Sequence, residues 1–318
     1  MESRMFKEYL TSGSLEGLAS IPKSDLHNHA SNGGNVAYIE KIANVKIEPP
    51  PPRFPSLTEM EKWAHANIKK HCAKKTRHEA AFVQARNDGV SVLALSVFRS
   101  EMEHYGTCGQ FIQAFREFKD KHIPGALFLP EISYSGGADA DEIDREYYLL
   151  DEILSYGYFA SVDLCYDELA HPVKRYKDYK KIFMRAKKSG LKLKAHAGEY
   201  GTADDVMRAV EELELDEVHH GIGAASSPQV MRWLARHKIQ LNICPTSNVM
   251  LGRAESYKEH PIRVLYDYGI PVTVNTDDML IFNQSVSQEY FNLHECGLMT
   301  ADELDGIRKA GIAGFTAT

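Results

Sequence analysis

Cysteine is scarce in this 318-residue chain and poorly spaced for chemistry of its own. The five thiols (Cys72, Cys108, Cys165, Cys244 and Cys296) are odd in number and form no Cys-x-x-Cys pair. Neither a disulfide framework nor a cysteine zinc site follows from that spacing, and reduced, mostly buried thiols are expected. Positive charge is also short: 37 Lys and Arg face 44 Asp and Glu, for a net charge of -7. No basic surplus exists to neutralise a phosphate backbone, so neither a nucleic-acid polymer nor an anionic membrane is an expected partner, while a single nucleotide is not excluded. No apolar run approaches the roughly 18 residues that cross a bilayer. The opening MESRMFKEYLTSGSLEGL lacks the unbroken apolar stretch of a signal peptide, so a cytoplasmic location is expected. Low-complexity tracts are missing as well. With 43% hydrophobic residues, 22 Gly and 13 Pro, the chain has ample material for one large core.

What is present is a rhythm. Eight short β-branched or apolar runs begin at Ser24, Val90, Gly125, Phe159, Leu191, Glu217, Ile239 and Ile270, and each ends in small, polar or ionisable residues. Helical patterns lie between most of them. Asp178 to Ser189 puts Tyr179, Ile182, Phe183 and Ala186 on one stripe, and Ala203 to Leu213 and Ser227 to His237 behave similarly. Alternating strands and helices imply right-handed crossovers and a parallel sheet. Eight units predict an α/β fold closed as a (β/α)8 TIM-type barrel, although a doubly wound open sheet reads much the same. The whole chain, 1–318, is expected to form a single domain. Residues 31–89 interrupt the rhythm with a proline-rich loop and two helices after the first strand. Such an excursion is either a lid on the catalytic face or a peripheral insertion. Its basic stretch, Lys69 to His78, reads as a solvated helix face.

Chemistry collects at the strand ends. His27-Asn28-His29 on a strand would turn both imidazoles to one face, a pair suited to a metal. Alone this is weak evidence in a chain with 14 histidines. His196 with Glu199 closes the fifth run, His219-His220 the sixth, and Asp277-Asp278 the eighth. Singly, each could be a hydrogen-bonded core histidine or a helix-capping carboxylate. Together they bring four strand ends to one rim, where unpaired charges would be costly without a divalent ion. Three histidines and an aspartate with an open position suit catalytic zinc.

The set HxH, HAGE, HHG, CPTSN and NTDD, in this order, resembles the adenosine deaminase branch of the metal-dependent amidohydrolases, from about Pro22 to beyond Asp278. The resemblance implies a (β/α)8 barrel with one zinc per chain on His27, His29, His196 and Asp277. It implies Glu199 as the acid that protonates a purine ring at N1. His220 would orient the metal-bound water and act as base, and Asp278 would hold the water and the N7 side of the ring. His219 reads as structural. The other zinc deaminase design needs a Pro-Cys-x-x-Cys signature, which is absent; Cys244-Pro245 is the reverse order.

The pattern departs where substrate is read. Family members acting on free adenosine follow HxH with Leu-Asp-Gly; here Ser31 and Asn32 stand in place of the acid. After the fourth strand, the family's Asp-Leu-Ala-Gly-Asp-Glu becomes Asp163-Leu164-Cys165-Tyr166-Asp167-Glu168, with Tyr166 at the glycine. Ser31, Asn32, Asp163, Tyr166 and Gly198 are the expected substrate contacts. The expected reaction is zinc-dependent hydrolytic deamination of an adenosine-like aminopurine nucleoside, releasing ammonia. A nucleotide, a free base, an N6-modified purine or another aminated heterocycle remain alternatives, as does a silent purine-binding protein.

Overall fold

The computed structural model describes residues 1–165 and 176–315. Eight parallel strands follow one another in chain order: β1 (Lys23–Asp25), β2 (Val90–Phe98), β3 (Leu127–Ser135), β4 (Ser161–Cys165), β5 (Lys192–Ala197), β6 (Glu217–His220), β7 (Gln240–Ile243) and β8 (Val272–Val274). Spatial order equals sequence order, with no reversal point, so the doubly wound alternative gives way to a barrel. The seam between β8 and β1 is drawn together beyond the strand ends. Leu26 N–H donates to Asn275 Oδ1 (2.8 Å), Asp277 N–H donates to the His27 carbonyl (3.0 Å), and Asn28 bridges Asp277.

The expected helices are present, and their local chemistry explains their limits. Tyr176–Lys188 buries Tyr179, Ile182, Phe183 and Ala186 and ends in Arg185, Lys187 and Lys188, which suit the negative end of its dipole. Ala203–Leu213 starts with a reciprocal cap between Thr202 and Asp205. Pro228–His237 starts with Ser227 as cap and a proline in its first turn.

Within residues 31–89, helices Val36–Ala43 and Leu57–Asn67 precede the regular helix Lys74–Asn87, which leads into β2. Phe54, Met60 and Ala64 pack on Met250, Leu251, Ile281 and Phe282, while Ile39, Ile47 and Ile68 pack on Leu280. The insertion therefore rests on the segments that follow β7 and β8, at the face carrying the strand C-termini. Its basic stretch is not uniformly solvated. Arg77 and His78 are buried, with Arg77 Nε donating to the Ser31 carbonyl (3.0 Å) and His78 Nδ1 lying 2.9 Å from the Tyr105 hydroxyl. No helix among the described residues is long and apolar enough to cross a membrane.

Candidate metal centre and active site

The first strand stops at Asp25, earlier than its sequence suggests, after a register shift between Lys23 and Ser24. Asn28 and His29 continue as isolated bridges to Asp277 and Ser96. His27 and His29 thus stand on the rim just past β1, their rings 5.1 Å apart. His196, near the end of β5, completes a set of three imidazoles whose ligating nitrogens all lie within 4.8 Å of one another. Asp277, just past β8, faces them. Its Oδ1 is 3.6 Å from His27 Nε2 and 3.2 Å from His29 Nε2, and its Oδ2 is 3.7 Å from His220 Nε2. His27, His220 and Asp277 form a second overlapping set within the same limit, and His29, Asp277 and Asp278 a third.

The donors fit a divalent ion on two further observations. Both ring nitrogens of His27 are buried with no hydrogen-bond partner, as is Asp278 Oδ1. Such orphaned groups are costly unless something at the centre engages them. The second is the support behind His196: its Nδ1 lies 3.2 Å from Asp163 Oδ1, leaving Nε2 directed away from the carboxylate. A carboxylate behind an imidazole is the usual way a protein fixes a ligating histidine.

The electrostatics are those of a dense, dry cluster. Burial, and then the imidazoles of His219, His196, His220 and His29, hold His27 well below the usual histidine range. Burial also opposes protonation of His29, but the carboxylates of Asp278 and Asp277 push it up to about 10. Burial holds His220 down at about 3, against the pull of Asp277. Asp277 is held low, because the hydrogen bond from His29 and the nearby imidazoles outweigh burial. Burial raises Asp278 to about 6. Neighbouring carboxylates with divided proton affinities are a recurrent arrangement for acid–base work.

Glu199 enters from the loop after β5, its Oε2 3.8 Å from His220 Nε2. Gly198 before it has a φ of +66°, and a Cβ there would meet Val206 Cγ2 at 2.3 Å; glycine lets the loop turn tightly beside the imidazoles. His220 and Asp277 share this left-handed backbone without being glycine, with φ of 62° and 60°. Non-glycine residues held there cost free energy that the surroundings must offset, and such residues cluster at functional sites.

The expected substrate contacts are dispersed. Asp163 is completely buried, receiving the Ser133 hydroxyl (2.9 Å) on the oxygen not used by His196; it stands behind the rim and not in a pocket wall. Asn32 is tied into the chain, its N–H donating to the His29 carbonyl and its own carbonyl accepting from Leu280 N–H. Ser31 is among the groups that lower the pKa of Glu101, a buried carboxylate that the sequence reading missed. Lys74 lies 3.3 Å and His78 3.8 Å from Glu101; despite burial, these partners hold it at about 2. Tyr166, with Asp167 and Glu168, lies outside the described residues.

His219 faces down into a polar layer beneath the rim. Its Nε2 is 3.2 Å from Glu131, and Glu131 also accepts from Lys194 (2.9 Å) and Ser161 (2.6 Å). Glu131, Asp163 and His219 come within the same donor spacing as the rim residues, but Lys194 already supplies their positive charge. Asn248, in the CPTSN motif, and His260, neither of them given a role by the sequence, stand behind His220.

A model of the family described as adenosine deaminase matches residues 148–316. A protein of Treponema pallidum (strain Nichols), provisionally named an adenosine/adenine deaminase, is 31% identical over 294 residues, which cover 90% of this chain and 96% of that one. Among solved structures, an adenine deaminase from Arthrobacter aurescens superposes with a TM-score of 0.77 at 20% identity, over 93% of this chain and 94% of its own. An amidohydrolase from Burkholderia ambifaria with bound Zn gives a TM-score of 0.71 at 18% identity, over 95% and 87%. The two solved structures establish a shared barrel.

Proposed function

The chain belongs to the adenosine deaminase family, and from that premise we propose that it is a zinc-dependent hydrolytic deaminase of an adenosine-like aminopurine. The amine at purine C6 is exchanged for the oxygen of water, and ammonia leaves. The observation that carries this reading is the convergence of His27, His29 and His196, from the ends of β1 and β5, within 4.8 Å and against Asp277. These four residues would hold the ion. Zinc is favoured by a donor set of imidazole and carboxylate, and by the bound Zn of the Burkholderia ambifaria structure. When bound, the ion polarises water and lowers its pKa towards neutrality.

The remaining steps fall to the protein's own groups. Glu199 serves as the acid that protonates the ring nitrogen beside C6, making that carbon electrophilic. His220 and Asp278 flank the attacking water, the imidazole orienting it and the carboxylate receiving its proton. The proton balance closes on water's two protons: the one released on attack passes to the departing amine, which leaves as ammonia, and the one lost as the C6 hydroxyl becomes a carbonyl restores Glu199. Residues 31–89 act as a lid, a role supported by their packing on the segments after β7 and β8.

Metal analysis and ammonia release over a panel of aminopurine bases, nucleosides and nucleotides test the proposal together. One zinc per chain and ammonia from at least one aminopurine are expected. A protein that binds zinc and purine yet releases no ammonia from any member would overturn it.

A further inference from the structure

Behind His220 a line of hydrogen bonds runs back to the main chain, and its direction is set at the far end. The backbone N–H of Ile262 donates to Nδ1 of His260 at 3.1 Å. A backbone N–H can only donate, so Nδ1 of His260 carries the lone pair. Burial holds that imidazole neutral, with a pKa of about 3, which places its single proton on Nε2. Nε2 lies 3.2 Å from Asn248 Oδ1, which accepts. The amide orientation is thereby fixed: its NH2 end faces His220, with Nδ2 3.2 Å from Nδ1. An amide NH2 also only donates, so Nδ1 of His220 is an acceptor. His220, Asn248 and His260 are all buried, and among the described residues these atoms have no competing partner.

We propose that Asn248 and His260 are positioning residues that lock His220 as its Nε2–H tautomer, so that His220 meets the reacting oxygen as a hydrogen-bond donor. Two consequences follow. The imidazole is not a metal ligand, because its Nε2 carries the proton and its only lone pair, on Nδ1, faces the Asn248 amide; His196, by contrast, gives its Nδ1 proton to Asp163 and keeps a lone pair on Nε2. This chooses between the overlapping donor sets, favouring His27, His29 and His196 over the set that includes His220. Nor is neutral His220 the base, since its only lone pair faces Asn248. The proton released by water goes instead to a carboxylate of the cluster. Nε2, 3.7 Å from Asp277 Oδ2 and 3.8 Å from Glu199 Oε2, leaves room for an oxygen between them.

This assignment of roles rests on the proposed deamination; the tautomer itself does not. The test is a two-bond proton–nitrogen NMR correlation on zinc-loaded protein labelled with 15N-histidine, with the His220 signals identified by their loss in His220→Asn. Wild type should show Nδ1 as pyridine-type and Nε2 as pyrrole-type. His260→Gln, whose amide can still donate to Asn248, should keep that pattern and recover most of the turnover lost in His260→Leu. Asn248→Asp can only accept, so the pattern should reverse and kcat should fall about 10²-fold with KM little changed. A protonated Nδ1 in wild type overturns the proposal, and so does unchanged kcat in Asn248→Asp with a reversed pattern. If Asn248→Asp does not fold, the contrast between His260→Leu and His260→Gln decides. The expected tautomer in a protein that never releases ammonia would sink the deaminase reading and leave the lock standing.

Discussion

Asp163 accepts from Nδ1 of His196 at 3.2 Å on one oxygen and from the Ser133 hydroxyl at 2.9 Å on the other. The carboxylate is completely buried, so its work is to orient the imidazole and raise its basicity from behind. Asp163→Asn should therefore weaken zinc retention by about 10- to 100-fold, read by competition with a chelator. Affinity equal to wild type would return Asp163 to the substrate side of the site.

Glu199 and His196 should separate cleanly. Glu199→Gln should keep its zinc while turnover falls by roughly 10²–10⁴-fold, because a proton donor is lost without a ligand. His196→Ala should lose metal and turnover together. Elemental analysis alongside ammonia release checks both, and loss of zinc in Glu199→Gln would mean that the residue was assigned the wrong task.

Stability should depend on pH through Glu289, a fully buried carboxyl on helix Val286–Glu295 that accepts the Thr246 N–H at 3.1 Å. Burial pushes it up to about 8 despite those bonds, with Asp25 and Asp277 adding to the shift. Between the ordinary value of 4.5 and about 8, the folded protein holds a proton that the unfolded chain has released. Its contribution to stability is therefore lost as pH rises through that window. Glu289→Gln stays neutral and keeps an acceptor for Thr246. Its melting temperature should match wild type near pH 5 and exceed it by several degrees near pH 8, and parallel curves would refute the account.

Ser31 and Glu101 should be energetically coupled. Ser31→Asp alone sets a second carboxylate beside a buried one, whereas in the Glu101→Gln background it meets a neutral amide. A double-mutant cycle in urea should give a coupling of about 0.5–3 kcal/mol. In the Glu101→Gln background, Ser31→Asp with Tyr166→Gly should also shift kcat/KM towards adenosine over adenine. An unchanged ratio would dissociate these positions from substrate choice.

Much of the barrel was legible because short apolar runs and 3.6-residue stripes are local signals: the helix of Tyr179, Ile182, Phe183 and Ala186 and the strand from Val90 to Phe98 can be read without tertiary knowledge. The cluster residues were legible for a different reason, since they recur at strand ends. What escaped was non-local. The early end of β1 depends on a register shift against β2 and on the far end of the chain. Asp163 was expected at the substrate, and only the fold shows its bonds to His196 and Ser133, because sequence order cannot say which groups a carboxylate faces. Glu101 sits in an unremarkable stretch after β2, and only folding brings it to Ser31. The positive φ of His220 and Asp277 had no glycine to announce it.

The barrel's last gap is closed by hydrogen bonds that join Leu26 to Asn275, 249 residues apart in sequence, Asp25 and Asn28 to Thr276, and His27 to Asp277. A cation held across that gap by His27, His29 and Asp277 would tie the beginning of the fold to its end, like a clasp on a bracelet. It would restrain the opened polypeptide as a long-loop cross-link does, and its removal should first loosen the weld between the outermost strands while the middle of the barrel keeps its ladders.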